Sequence, residues 1–123
     1  MNITETIGAT TELSYKCPVT ATLGVIGGKW KPVILYILSG GTKRFNEIKR
    51  HLPDATQKML TQQLRELEAD EIIVRKVYAE VPPRVEYSLS EKGLTLTPLL
   101  KQMSLWGQQH VLKQDICRSA SNH

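Results

Sequence analysis

No CxxC pair occurs in this chain, and its two cysteines, Cys17 and Cys117, lie near opposite ends. A reducing cytoplasm argues against a standing disulfide between them. The three histidines, His51, His110 and His123, are scattered without metal-ligand spacing. Zinc is therefore not expected, and neither is any other cofactor. No apolar run approaches the roughly 20 residues that span a bilayer. The longest, from Pro32 to Leu38, suits the core of a helix, so no membrane partner is expected. The N-terminus has no basic region followed by an apolar stretch, from which no secretion signal and a cytoplasmic location are expected. Ser-His-Asp sets, paired-carboxylate motifs, phosphate-binding loops and HExxH are all missing, which leaves an enzyme without recognisable machinery. There is no internal repeat and no domain linker.

What is present suits one compact domain. Of the 123 residues, 41% are hydrophobic and 23% charged, enough for a single core and too apolar for wholesale disorder. The net charge is +4, with a sequence pI near 9.2. Its distribution is uneven. Residues 28–65 carry a net +6, from Lys29, Lys31, Lys43, Arg44, Lys49, Arg50, Lys58 and Arg65 against Glu47 and Asp54, while the flanking segments are each at −1. Positive charge concentrated on one folded segment is the electrostatic footprint of a DNA-binding surface.

Residues 1–14 are polar and Thr-rich and read as a loose N-terminal arm. Cys17-Pro18 opens a first helix, which Gly27-Gly28 stops. A second helix begins near Trp30-Lys31-Pro32, buries Val33, Ile34, Ile37 and Leu38, and ends at Ser39-Gly40-Gly41. A short extended piece, Thr42 to Arg44, precedes a short helix from Phe45 to His51, and Pro53-Asp54 makes a turn. A fourth helix is expected from about Ala55 to Ala69, with Leu60, Leu64 and Leu67 facing the core. Ile72 to Tyr78 and Arg84 to Leu89 read as a hairpin, the second strand alternating Val85, Tyr87 and Leu89 with Glu86 and Ser88. Ser90-Glu91 caps a C-terminal helical region that Thr97-Pro98 divides. The order is helix, helix, short strand, helix, helix, hairpin, helix. The expected fold is therefore α+β and mainly helical, a winged helix-turn-helix.

On a helical wheel of about 100° per residue, Gln57, Lys58, Thr61, Gln62 and Arg65 share one face of the fourth helix. Gln pairs with adenine, Arg and Lys reach guanine edges or phosphates, and a Thr methyl meets the thymine methyl. An arbitrary helix with such a face is usually just solvated. Here the preceding turn, the following hairpin and the local +6 favour a helix that enters the major groove. Arg84 at the wing offers a contact to a minor groove or phosphate, against the plainer alternative of a solubilising strand-edge arginine. Lys29, Lys31, Lys43 and Arg44 surround helix ends that would abut phosphates.

The segments Cys17-Pro18, Ile26-Gly27-Gly28-Lys29-Trp30-Lys31, Arg44-Phe45-Asn46-Glu47-Ile48, Gln57 to Leu67 and Val81 to Leu89 resemble the HxlR-type regulators, relatives of the MarR group. The resemblance covers roughly residues 15–112 and implies a dimeric winged helix regulator that binds double-stranded DNA at a roughly palindromic operator. It implies dimerisation through the first and last helices, about 15–27 and 91–113, within a domain spanning 15–113, with 114–123 as a polar tail. It also implies that the cysteine matching Cys17 senses electrophiles or oxidants in some members and not in others. One departure is Glu71, where a Gly often precedes the first wing strand.

The apolar residues of the last helix agree with a dimer. Leu99, Leu100, Met103 and Trp106, with Val19 and Leu23 of the first helix, make more apolar surface than a small monomer covers. Cys17 lies at a helix N-terminus next to Lys16, where amides and dipole favour a thiolate, so reaction with an oxidant or electrophile is one reading. A half-buried capping cysteine is the other. Two further functions stay open: a winged helix used only for protein contacts, which the polar-basic face disfavours, and a thiol-dependent enzyme, for which no partner base is evident.

Overall fold

A computed structural model describes residues 17–112. The expected arm at 1–14, the tail at 114–123, Lys16 and Cys117 lie outside the described residues.

Proline and glycine punctuate the first two helices. Helix α1 spans Pro18–Ile26, with Cys17 in extended conformation before it and Pro18 fitting a position whose N–H has no helical partner. Gly27 and Gly28 end it, Gly28 in the left-handed region at φ 93°. Helix α2 spans Lys31–Leu38. It is the central helix, packed against the last long helix, the helix that carries Leu60 and Leu64, and the sheet. Its buried face is Ile34, Leu35 and Leu38, with the stem of Lys31. Val33, expected inside, is 39% exposed, and Ile37 is only partly buried. The neighbours of α2 rotate its inward face by about one residue relative to the sequence expectation.

Strand β1, Lys43–Arg44, leads directly into helix α3, Phe45–His51. The Arg44 backbone N–H donates to the Glu47 carboxylate at 2.8 Å, which satisfies one of the unpaired amides at the start of α3. A turn follows in which Leu52 and Ala55 are buried. Helix α4 spans Gln57–Ala69 and is capped by Thr56, whose hydroxyl accepts from the Met59 N–H at 3.1 Å. Its start is two residues later than expected, because Thr56 is the better cap. Leu60, Leu64 and Leu67 are fully buried, as their spacing predicts. With Ile34, Leu35, Ile48 and Ile72 they form the centre of the core, each contributing about 1.5–3 kcal/mol of burial.

Strands β2, Ile73–Tyr78, and β3, Arg84–Leu89, pair antiparallel, and β3 also pairs with β1, giving the order β1-β3-β2. Because β3 is flanked on both edges, every one of its residues is half-buried, and the expected clean alternation is blurred. Tyr87 and Leu89 still pack on the core.

The junction of α4 and β2 carries the one backbone irregularity that the sequence flagged. Glu71 adopts φ 61°, the left-handed conformation that glycine favours. The Glu71 N–H bonds to the Glu68 carbonyl and the Ile72 N–H to the Leu67 carbonyl, both at 2.9 Å. This is a Schellman helix end, and buried Leu67 and Ile72 form its apolar contact. The turn is thus kept without glycine.

Helix α5, Glu91–Leu94, is a single turn capped by Ser90, whose hydroxyl accepts from the Gly93 N–H at 3.0 Å. Gly93 lies so close to the residue preceding β2 that a Cβ would stand 2.1 Å from the Ile72 carbonyl oxygen. Helix α6, Thr97–His110, follows after the expected division at Thr97-Pro98. No single helix among the described residues is long and apolar enough to cross a membrane.

Candidate nucleic-acid interface

The structure brings five expected residues together. Gln57, Lys58, Thr61, Gln62 and Arg65 line one open groove along the outer face of α4. All but Thr61, which is half-buried, are exposed. The face exists because Leu60, Leu64 and Leu67 anchor the opposite side of the same helix in the core.

The flanking basic residues divide. Lys29 is exposed, its ammonium 4.8 Å from the centre of the Trp30 ring. Lys43 is half-buried on β1, and Arg44 is exposed beside it. Arg44, Asn46, Glu47 and Arg50 line a surface hollow at the start of α3. Lys31 is a correction. It is 9% exposed, and its Nζ lies 2.6 Å from Glu66 Oε1 on α4. A buried ammonium needs a counter-charge, and this one has it within the protein rather than on a phosphate.

Arg84 is likewise held within the wing. Its guanidinium lies 3.9 Å from the centre of the Tyr78 ring, 3.0 Å from a Glu80 oxygen and 3.7 Å from a Glu86 oxygen. With the Tyr78 ring and two carboxylates around it, much of its charge is engaged within the wing.

Sequence reasoning missed Arg75. This exposed residue of β2 lines a cleft with Thr61, Arg65, Glu68 and Tyr87, between the reading helix and the sheet. Two arginines converging on one cleft beside the groove offer a phosphate contact. The signal was the adjacent pair Arg75-Lys76 in an otherwise apolar strand. Asn46 and Arg50, beside Arg44, were also passed over.

A second set of exposed residues is apolar. Val19 and Leu23 of α1 are 66% and 58% exposed, and Leu99, Met103 and Trp106 of α6 are 40%, 44% and 62% exposed. The α6 residues recur at spacings of four and three and form one stripe. Leu100, expected on this surface, is 3% exposed and belongs to the protomer's own core. It faces α2, one helical step of about 100° from Leu99.

Cys17 is free and half-exposed, just before α1. The Thr20 backbone amide first, then the Thr20 hydroxyl and the Val19 amide, hold its thiol below the ordinary cysteine range. None of these forms a full cap hydrogen bond. Among the described residues, no group of His, Cys, Asp and Glu is arranged to hold a metal ion.

Known proteins similar in sequence and structure are helix-turn-helix regulators. The family model described as HxlR-like helix-turn-helix matches residues 25–115. An uncharacterized HTH-type transcriptional regulator, YtcD of Bacillus subtilis (strain 168), is 59% identical over 97 residues, covering 79% of this chain and 77% of the relative. The solved structure of the redox regulator HypR in its oxidized form is 58% identical with a TM-score of 0.74, covering 76% of this chain and 97% of that one. The reduced form of the transcriptional regulator YodB from B. subtilis is 38% identical with a TM-score of 0.68, covering 80% of this chain and 98% of that one.

Proposed function

From the premise that this chain belongs to the HxlR-like helix-turn-helix family, and is a winged helix DNA-binding transcriptional regulator, we propose how it engages its operator. Helix α4 enters the major groove and reads base edges through Gln57, Lys58, Thr61, Gln62 and Arg65. Lys29, Lys43, Arg44 and Arg75 contact the phosphate backbone and set register without reading sequence. The observation that carries this reading is the groove of five polar and basic side chains on the outer face of α4.

The protein acts as a two-fold homodimer through α1 and α6, and the operator is correspondingly pseudo-palindromic. The exposed apolar stripe on α6 supports this, since such patches in a small soluble protein mark interfaces. The chain has no catalysis of its own. Cys17, with its thiol favoured toward thiolate, is the reactive point at which an oxidant or electrophile alters the α1 contact and with it DNA affinity. One similar solved structure is of a redox regulator, and the DNA-binding role proposed for α4 does not depend on the thiol.

The test begins by selecting a duplex from a random-sequence pool with the wild-type protein. Anisotropy then compares affinity for that duplex with affinity for sonicated genomic DNA. Gln57→Ala should lower the ratio by about 1–3 kcal/mol. Lys43→Ala should weaken both DNAs alike and lower the salt slope by about one. An unchanged ratio for Gln57→Ala together with Gln62→Ala would show that α4 does not read the operator.

A further inference from the structure

Glu66 stands in α4 between a buried cation and the reading face. Its Oε1 lies 2.6 Å from the Nζ of Lys31, whose side chain is 11% exposed. Its Oε2 accepts a hydrogen bond from Gln62 Nε2 at 2.8 Å. One carboxylate thus spends both oxygens, one inward on α2 and one outward along α4. The inward partner fixes it, because a desolvated ammonium tolerates no loss of its counter-charge.

The outward bond has a chemical consequence. An ionised carboxylate accepts hydrogen bonds and donates none. It therefore dictates which end of the Gln62 amide faces it, and that end is the NH2. The amide oxygen and the second N–H are left free, which is the acceptor–donor fork that adenine N6 and N7 require. An unrestrained surface glutamine samples both flips and several rotamers, all but one of which must be given up on binding.

We propose that Glu66, anchored by Lys31, is a specificity-positioning residue that presets Gln62 to read adenine in the major groove. This rests on the reading of α4 as the DNA-reading helix. Hydrogen bonding from Lys31, then from Gln62, also holds the Glu66 carboxyl below the ordinary glutamate range, which keeps it in the acceptor-only form near neutral pH. The arrangement further explains why an acid is tolerated close to DNA: its charge is already engaged.

The test uses the full chain, the pool-selected duplex and sonicated genomic DNA at one salt concentration. Glu66→Ala alone strands a buried ammonium and endangers folding, so it is made together with Lys31→Met, which keeps the packed stem and removes the charge. Gln62→Ala should lower the selected-to-genomic affinity ratio roughly tenfold. The Lys31→Met/Glu66→Ala pair should lower it by a comparable factor, and adding Gln62→Ala to the pair should lower it no further. Selection repeated with the pair should flatten an adenine preference that the wild type displays. A merely structural ion pair would change thermal stability and leave ratio and selected sequence alone, and that result overturns the proposal while sparing the reading of α4. A triple variant that loses the product of the two effects also overturns it, since Glu66 would then act independently of Gln62. An unchanged ratio in Gln62→Ala alone overturns this proposal and spares the reading of α4, which falls only if Gln57→Ala is unchanged as well.

Discussion

Replacing Trp106 with alanine should dissolve the dimer while leaving the protomer folded. A tryptophan buries up to roughly 250 Å², so an exposure of 62% leaves about 150 Å² open on α6. Covered by a partner at about 25 cal/mol per Å², that area contributes roughly 4 kcal/mol per protomer. Alanine keeps part of the contact and the neighbours relax, so the loss is about 2–3 kcal/mol per protomer. The two-fold axis counts it twice, about 5 kcal/mol in all, which raises the dimer Kd by about three to four orders of magnitude. Sedimentation velocity from roughly 0.1 to 50 µM protein should find the wild type dimeric and Trp106→Ala monomeric over most of that range. Circular dichroism should be unchanged, because the ring is largely outside the protomer's core. Leu100→Ala is the control. It removes a side chain 3% exposed within the protomer and should lower stability without selectively splitting the dimer. A Trp106→Ala variant that sediments like the wild type at every concentration would refute the interface assigned to α6.

Two predictions on stability and two on Cys17 follow from the same structure. Gly93→Ala places a Cβ 2.1 Å from the Ile72 carbonyl oxygen, pushes α5 off the start of β2 and should cost about 2–4 kcal/mol by urea unfolding; a loss below about 1 kcal/mol would contradict the close approach. Glu71→Gly relieves a left-handed residue at φ 61° and should stabilise by about 0.5–1 kcal/mol, and a loss would mean that the Glu71 side chain holds something besides the turn. In a Cys117→Ser background, alkylation of Cys17 by iodoacetamide should titrate at lower pH in the folded chain than in urea, because the Thr20 amide and hydroxyl favour the thiolate. The sign for stability follows: a depressed thiol pKa contributes above the unfolded value and is lost as pH falls through the folded one. N-ethylmaleimide, which adds to a single thiolate, should alter operator affinity in that background and not in Cys17→Ser, and an equal response in both would retire the sensor.

The helices were legible because their ends are written in proline and glycine. Pro18, Pro32 and Pro98 each fall in a first turn, and Gly27-Gly28 closes α1. The spacing of Leu60, Leu64 and Leu67 fixed which face of α4 is free, so the groove of five polar residues could be read off the wheel. What the sequence hid depends on contacts between distant elements. Periodicity shows that α2 has an apolar stripe, yet whether Val33 or Leu35 lies at its centre is decided by the neighbours of α2. A count of charges cannot distinguish Lys31, neutralised by a glutamate one helix-turn-helix away, from Lys43. Arg84 looked like a wing-tip contact because Tyr78, Glu80 and Glu86 surround it only once the hairpin closes. Gly93 gave no signal at all, since its need for close approach arises from Ile72, about twenty residues earlier in the chain.

Helix α2 connects the two proposed functional surfaces. It packs on α6, which carries the proposed dimer stripe, and through Lys31 it holds Glu66 of the reading helix. The loop Gly27 to Trp30 alone separates it from α1 and Cys17. A change in how α6 meets its partner is therefore passed to α2 and α4 together, because a close-packed core transmits displacement rather than absorbing it. In a dimer the two α4 helices must reach successive major grooves about 34 Å apart. A rotation too small to disturb any single base contact within one protomer is then enough to take one helix out of its groove. The proposed regulation at the thiol and reading at the groove would need no separate moving part, since rigidity within the protomer and a two-fold axis between protomers would supply the amplification.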